Sequence, residues 1–128
     1  MDRRALLFTG FAAALAAPAA RAASDLKVIY VGGWDCPPCT TWKNKYKAEW
    51  LASPEYRRVT WYEVDPPKLK EAYQERHWPA ELKPVLDQLP RKSGTPRFLI
   101  VRDGQVVANE FGASKWAIIM TDLRKMLG

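Results

Sequence analysis

Cysteine is nearly absent from this chain of 128 residues: there are two, Cys36 and Cys39, three positions apart. A disulfide closing so short a loop restrains the unfolded chain very little, because the entropic gain grows with loop size. Structural stapling is therefore a poor reason for the pair. Histidine is scarcer still, with His77 alone. A tetrahedral zinc site would need two ligands beyond the cysteines, and only His77 and distant carboxylates are on offer. No apolar run reaches the roughly 20 residues needed to span a bilayer. The stretch Leu6 to Ala17 falls short and is broken by Thr9 and Gly10, with Pro18 behind it. The sequence also lacks internal repeats, and no low-complexity tract follows its first residues. Lys and Arg exceed Asp and Glu, for a net charge of +6, but the surplus is scattered. Nucleic-acid binding needs a clustered basic face, so it is not expected.

What is present reads as one ordinary globular domain behind a leader. Hydrophobic content of 48% and charged content of 27% exclude wholesale disorder, and the length suits one domain. Arg3 and Arg4 form a positive n-region, Leu6 to Ala17 an apolar h-region, and Ala20-Arg21-Ala22 an A-x-A cleavage signal. Residues 1–22 are therefore expected to be a cleaved signal peptide and residues 24–128 the folded domain. The Arg3-Arg4 pair also resembles a twin-arginine signal, without the usual Ser or Thr ahead of it. The expected location is a bacterial periplasm, where disulfides persist.

The run Leu26-Lys27-Val28-Ile29-Tyr30-Val31 suits a buried central strand. Gly32-Gly33-Trp34-Asp35 breaks it, and Cys36-Pro37-Pro38-Cys39 opens a helix, where prolines are tolerated in the first turn. Trp42, Tyr46 and Trp50 fall at helical spacing as core residues, with lysines on the solvated faces, until Ser53-Pro54 stops the helix. Arg58 to Val64 reads as a second strand, and Lys68 to Leu89 as helix in two pieces interrupted at Trp78-Pro79 and Pro84. Arg97 to Arg102 and Gln105 to Phe111 read as a hairpin about Asp103-Gly104. Ser114 is placed to cap a last helix with Ile119, Leu123 and Met126 on one face. The order is β-α-β-α-β-β-α. It predicts an α/β fold with a mixed four-stranded sheet, its first two strands parallel, flanked by helices on both faces.

A C-x-x-C between a strand and a helix start has a specific chemical logic. The thiolate is the nucleophile of disulfide exchange, and a helix N-terminus stabilises it. The spacing puts the second sulfur close enough to displace a mixed disulfide. Neither Pro37 nor Pro38 has an N–H, so only the Cys39 amide and the helix field remain to stabilise a Cys36 thiolate. Strong oxidants depend on a stabilised thiolate, so this pair reads as a reductant or an isomerase-assisting site rather than a strong oxidase.

Trp34-Asp35-Cys36-Pro37-Pro38-Cys39 resembles the active-site segment of the thioredoxin superfamily. Gly94-Thr95-Pro96-Arg97-Phe98 resembles its cis-proline loop, and Gly112-Ala113-Ser114-Lys115 the segment opening its last helix. The resemblance spans residues 25–128. It implies a minimal thioredoxin-like fold, Cys36 as the attacking and Cys39 as the resolving cysteine, a cis Pro96, and Thr95 offering backbone contacts to a substrate. No cofactor beyond the redox-active disulfide is implied. The implied partners are protein thiols and disulfides and a membrane thiol-reductase as electron donor, with the chain acting as a monomer. Three features depart from the pattern. With cleavage near Ala22, the strand and helix that begin full-length thioredoxin are not expected, and the segment 66–90 is longer than its counterpart and is expected to shape partner recognition. The family's buried Asp falls at Tyr30, with Glu63 and Asp65 as candidate substitutes.

Other residues are read more plainly. Trp34 is either an active-site contact or a packing residue. Asp35 is expected to be a solvated loop carboxylate, and His77 to have no catalytic partner. One alternative function is a Cu(I)-binding or metallochaperone module using the same two thiolates. Another is an interaction protein that keeps the fold without turnover.

Overall fold

The computed structural model describes residues 25–128, so the expected signal peptide at 1–22 lies outside the described residues. Strand β1 (Leu26–Val31) is the continuous apolar run, and it lies inside the sheet as such a run should. It pairs in parallel with β2 (Thr60–Val64), placing Tyr30 opposite Glu63, and antiparallel with β3 (Arg97–Arg102), placing Ile29 opposite Leu99. The last strand, β4 (Gln105–Phe111), pairs antiparallel with β3, with a bulge at Ile100/Val101. The order is β2-β1-β3-β4. The expected mixed four-stranded sheet is borne out.

Side chains alternate across the strands and divide the apolar residues into two cores. Val28, Tyr30, Phe98 and Ile100 face Trp42, Trp50, Trp116, Ile119 and Leu123 on one side. Ile29, Val31, Leu99 and Val101 face Ala72, Trp78, Leu82, Val85, Leu86 and Leu89 on the other. The first face is covered by a helical run over 37–51 and by the last helix. That run comprises α1 (Pro37–Trp42), a π-helical turn (Lys43–Lys47) and α2 (Ala48–Leu51). Eight residues of regular α-helix would leave Trp42 and Trp50 about 80° apart. The wider π turn closes that angle, and both indoles are buried while Tyr46 is half-buried.

Between β2 and β3 the expected two-piece helix over Lys68 to Leu89 is corrected. Only α3 (Lys83–Gln88) is α-helical, and 3₁₀ turns occupy Leu69–Glu71, Glu75–His77 and Ala80–Leu82. Trp78 precedes Pro79 and is held extended, which breaks the helical path. Its indole N–H donates to the Ala72 carbonyl at 2.7 Å, so a buried side-chain bond replaces a helical one. The second strand starts at Thr60, because Tyr56–Arg58 forms a 3₁₀ turn. Ser114 makes no cap: a 3₁₀ turn at Ala113–Lys115 leads into α4 (Trp116–Leu127) without a side-chain capping bond. The hairpin turn is as expected, since Asp103 and Gly104 take the positive φ values, 49° and 84°, of a type I′ turn.

Candidate active site

The chain leaves β1 with a residue that cannot carry a side chain. A Cβ at Gly32 would stand 2.1 Å from Tyr30 Oη and 2.9 Å from Cys39 Sγ, so this step of the loop is open only to glycine. Gly33 is similarly constrained, by the Leu69 backbone at 2.5 Å. The loop then reaches Cys36, which is extended and caps α1 with its own sulfur: Cys39 N–H donates to Cys36 Sγ at 3.2 Å. Pro37 and Pro38 fill the first turn, where their missing amides leave no helical bond unmade, and both are exposed. Cys36 and Cys39 are joined by a disulfide, with Cα atoms 5.2 Å apart. Cys39 is fully buried, and Cys36 keeps the little exposure of the pair, 2%.

The loop before β3 supplies the opposite wall. The Thr95–Pro96 peptide bond is cis. The Thr95 hydroxyl donates to Cys36 Sγ at 3.3 Å, a side-chain contact beside the backbone role expected of Thr95 towards a substrate. The Cys36 sulfur therefore has two donors, the Cys39 amide and the Thr95 hydroxyl. Trp34, two positions before Cys36, is 65% exposed, so it is not a core packing residue. Cys36, Cys39, Thr95 and Pro96 thus converge, with Trp34, Pro37 and Pro38 at the rim.

Sequence reasoning missed how the segment after β2 braces both loops. Trp34 N–H donates to the Pro66 carbonyl at 3.0 Å, and Leu69 N–H to Asp35 Oδ1 at 2.7 Å. Asp35 is therefore a clamp rather than a purely solvated carboxylate. Tyr73 Oη donates to the Gly94 carbonyl at 2.6 Å, and burial raises the pKa of that phenol. His77 does have a partner, Glu71 Oε1 at 3.3 Å, with Arg76 on the same oxygen. Two lysines of the first helical run are paired rather than merely solvated: Lys43 with Asp65 at 2.6 Å and Lys47 with Glu63 at 2.9 Å.

Arg97, next to Pro96, is the other residue the sequence did not single out. It is 1% exposed. Its Nε donates to Asn109 Oδ1 at 2.8 Å and one terminal nitrogen to the Arg91 carbonyl at 2.5 Å. The guanidinium lies 4.5 Å from the Phe111 ring centre and 5.6 Å from that of Tyr73. A buried cation held by rings and carbonyl-type acceptors fixes both ends of the loop 91–97. Arg97→Met should lower unfolding stability by about 2 kcal/mol, the scale of buried charged hydrogen bonds, and raise amide exchange across 91–96. A denaturant titration and hydrogen-exchange mass spectrometry would read both, and unchanged exchange there would refute the brace.

The fold and the convergence of two cysteines on a cis-proline loop decide the comparison with known proteins. Spinach chloroplast thioredoxin f superposes with a TM-score of 0.54 at 19% identity, covering 87% of this chain and 85% of that one. The chain has the thioredoxin fold. Thioredoxin from Fasciola hepatica gives a TM-score of 0.52 at 22% identity over 88% of this chain and 92% of the other. A thioredoxin f2 solved in complex with ferredoxin:thioredoxin reductase gives 0.53 at 20% identity over 87% and 86%. No protein-family model matches the sequence, and no curated protein does. Within this thioredoxin fold, no three His, Cys, Asp or Glu side chains among the described residues cluster as a metal site would require. Among the same residues no helix is long and apolar enough to cross a membrane.

Proposed function

We propose that this protein is an exported thiol–disulfide oxidoreductase that reduces protein disulfides in a bacterial periplasm. The observation that carries the reading is the Cys36–Cys39 disulfide at a helix start, with Cys36 Sγ against Thr95 of the cis-proline loop. The disulfide is the oxidised end of the cycle. In the reduced protein the Cys36 thiolate attacks a substrate disulfide, forming a mixed disulfide and expelling one substrate thiolate. Cys39 then attacks Cys36 Sγ, which releases the second substrate thiolate and restores the internal disulfide. Two electrons pass to the substrate. Trp34, Thr95 and Pro96 form the surface on which the substrate strand lies.

The leader supports export, and an exported reductant needs electrons from across the membrane, so a membrane thiol-reductase is the expected donor. The reducing direction rests on the donor set. Pro37 and Pro38 offer no amides, so two donors are left for the Cys36 sulfur. The equilibrium potential against glutathione should lie well below the about −120 mV of strong oxidants, and a value near that figure would reverse the direction.

Cys39→Ser tests the cycle and identifies the partners together. The variant should accumulate substrate proteins as mixed disulfides on Cys36, released by dithiothreitol and absent when Cys36 is also replaced. A trap that captures nothing from periplasmic extract, or captures equally without Cys36, would defeat the reading.

A further inference from the structure

Three segments that meet at the cysteine pair bring five cations with them. Lys68 and Lys70 flank Leu69, whose N–H donates to Asp35, the residue before Cys36. Arg91 and Lys92 open the loop that ends in Thr95 and Pro96, a loop held by Tyr73 at the Gly94 carbonyl and by Arg97 at the Arg91 carbonyl. Lys115 closes the 3₁₀ turn Ala113–Lys115, which packs against α1. All five residues are exposed, and among the described residues none of them forms an ion pair. Lys92 Nζ donates to the Leu89 carbonyl at 3.0 Å and Arg91 Nε to Ser93 Oγ at 3.2 Å, neutral acceptors that leave both charges uncompensated. The nearby acids are engaged: Asp35 with the Leu69 N–H, Asp65 with Lys43, and Glu71 with Arg76 and His77. Segments 66–70 and 90–96 hold four of the cations and no acid. Cations scattered along the sequence are thus brought together around the exposed Trp34 and Leu69.

We propose that this cationic rim docks protein segments whose disulfide is flanked by acidic residues, with apolar contact on Trp34 and Leu69. The inference rests on the oxidoreductase reading above and adds the substrate class to it. Charges of one sign around a reactive centre raise the local concentration of anionic partners and steer their encounter, and they repel cationic ones. The segment after β2 supplies two of these cations and one of the two apolar side chains, so it selects partners as well as bracing the loops. An acidic protein fits the rim better than a nucleic acid does, because the cations stand around a disulfide-exchange centre and a nucleic acid brings no disulfide to it.

Two peptides dimerised through a single cysteine, one with Glu and one with Lys on both sides of it, test the rim. Each rate with the reduced protein is divided by the rate of the same peptide with dithiothreitol, an uncharged thiol, which removes intrinsic differences between the disulfides. At low ionic strength the Glu peptide should then react at least about tenfold faster than the Lys peptide. At about 0.5 M salt the ratio should shrink to about twofold or less. Lys68→Glu with Lys70→Glu should cut the low-salt ratio at least about tenfold. Arg57→Glu with Lys125→Glu makes the same change in charge at the far end of the sheet. Arg57 precedes the end of β2 that pairs with the start of β1, and the neighbouring Arg58 donates to the Leu127 carbonyl at the close of α4. This second pair should hold the ratio within about twofold of wild type. Equal normalised rates for the two peptides, a ratio indifferent to salt, or the same loss in both double variants would overturn the docking surface. So would binding of a single-stranded oligonucleotide at physiological salt without preference between the peptides. A reduced protein that reduces neither peptide would instead overturn the oxidoreductase reading.

Discussion

Cys36→Ser is expected to abolish disulfide reduction, lowering the rate of insulin reduction by at least about a thousandfold, to the uncatalysed background. A serine hydroxyl does not ionise near neutral pH, so the thiolate that begins exchange is gone. Cys39 cannot take over. Its side chain is fully buried, and Cys36 keeps the little exposure the pair has. The fold should survive, because the serine oxygen can accept the Cys39 N–H that the sulfur accepts now. Equal rates in wild type and variant, or none in either, would defeat the enzymatic reading and leave an interaction protein on the same scaffold. A variant that keeps more than about a tenth of the rate would show that Cys39 is reachable, contrary to its burial.

The sheet was legible because period and composition agreed there. Leu26 to Val31 is apolar at nearly every position, and only a strand covered on both faces calls for that. Asp103-Gly104 states its turn type through the two positive φ values it must adopt. The segment between β2 and β3 was not legible, because its prolines punctuate without saying what lies between them. Its path is decided by tertiary bonds, such as Trp78 to the Ala72 carbonyl and Tyr73 to the Gly94 carbonyl, that no local pattern encodes.

The site divides in the same way. Two cysteines at C-x-x-C spacing and a proline after Thr95 can be named from the sequence, since each is needed by residue type. The supporting residues act through distance. Asp35 and Leu69 are 34 positions apart in the chain, and Tyr30 and Asp65 are 35 apart. Glu63 and Asp65 are equally eligible in sequence as substitutes for a buried acid, and only the structure shows that Asp65 bonds Tyr30 while Glu63 bonds Lys47. Arg97 read as an ordinary strand residue, and an Arg with no acidic neighbour in sequence gives little sign that it is buried over two rings.

Trp42→Ala should be the most destabilising substitution in the core, costing about 3–5 kcal/mol and lowering the melting temperature by about 15–30 °C. Trp42 stacks on Tyr30 with ring centres 4.8 Å apart, and meets Phe98, Trp116 and Trp61 at 5.4, 5.3 and 6.1 Å. Truncation would remove the common neighbour of all four rings and leave a cavity that none can fill alone. A domain holding about 5–15 kcal/mol in total would be brought near its limit. Trp42→Phe should behave very differently. The Trp42 indole N–H is buried without a hydrogen-bond partner, so removing it relieves about 1–3 kcal/mol of desolvation while most ring contacts remain. The net cost should fall to about 1 kcal/mol. Urea titrations of the oxidised proteins would give both numbers. Near-equal losses for Ala and Phe would mean that indole shape, and not aromatic bulk, holds this face together. A loss below about 1 kcal/mol for Ala would remove Trp42 from the centre of the core. The same ring stack reaches the site, since Tyr30, on which Trp42 packs, is one of the residues that leave no room for a side chain at Gly32 beside Cys39.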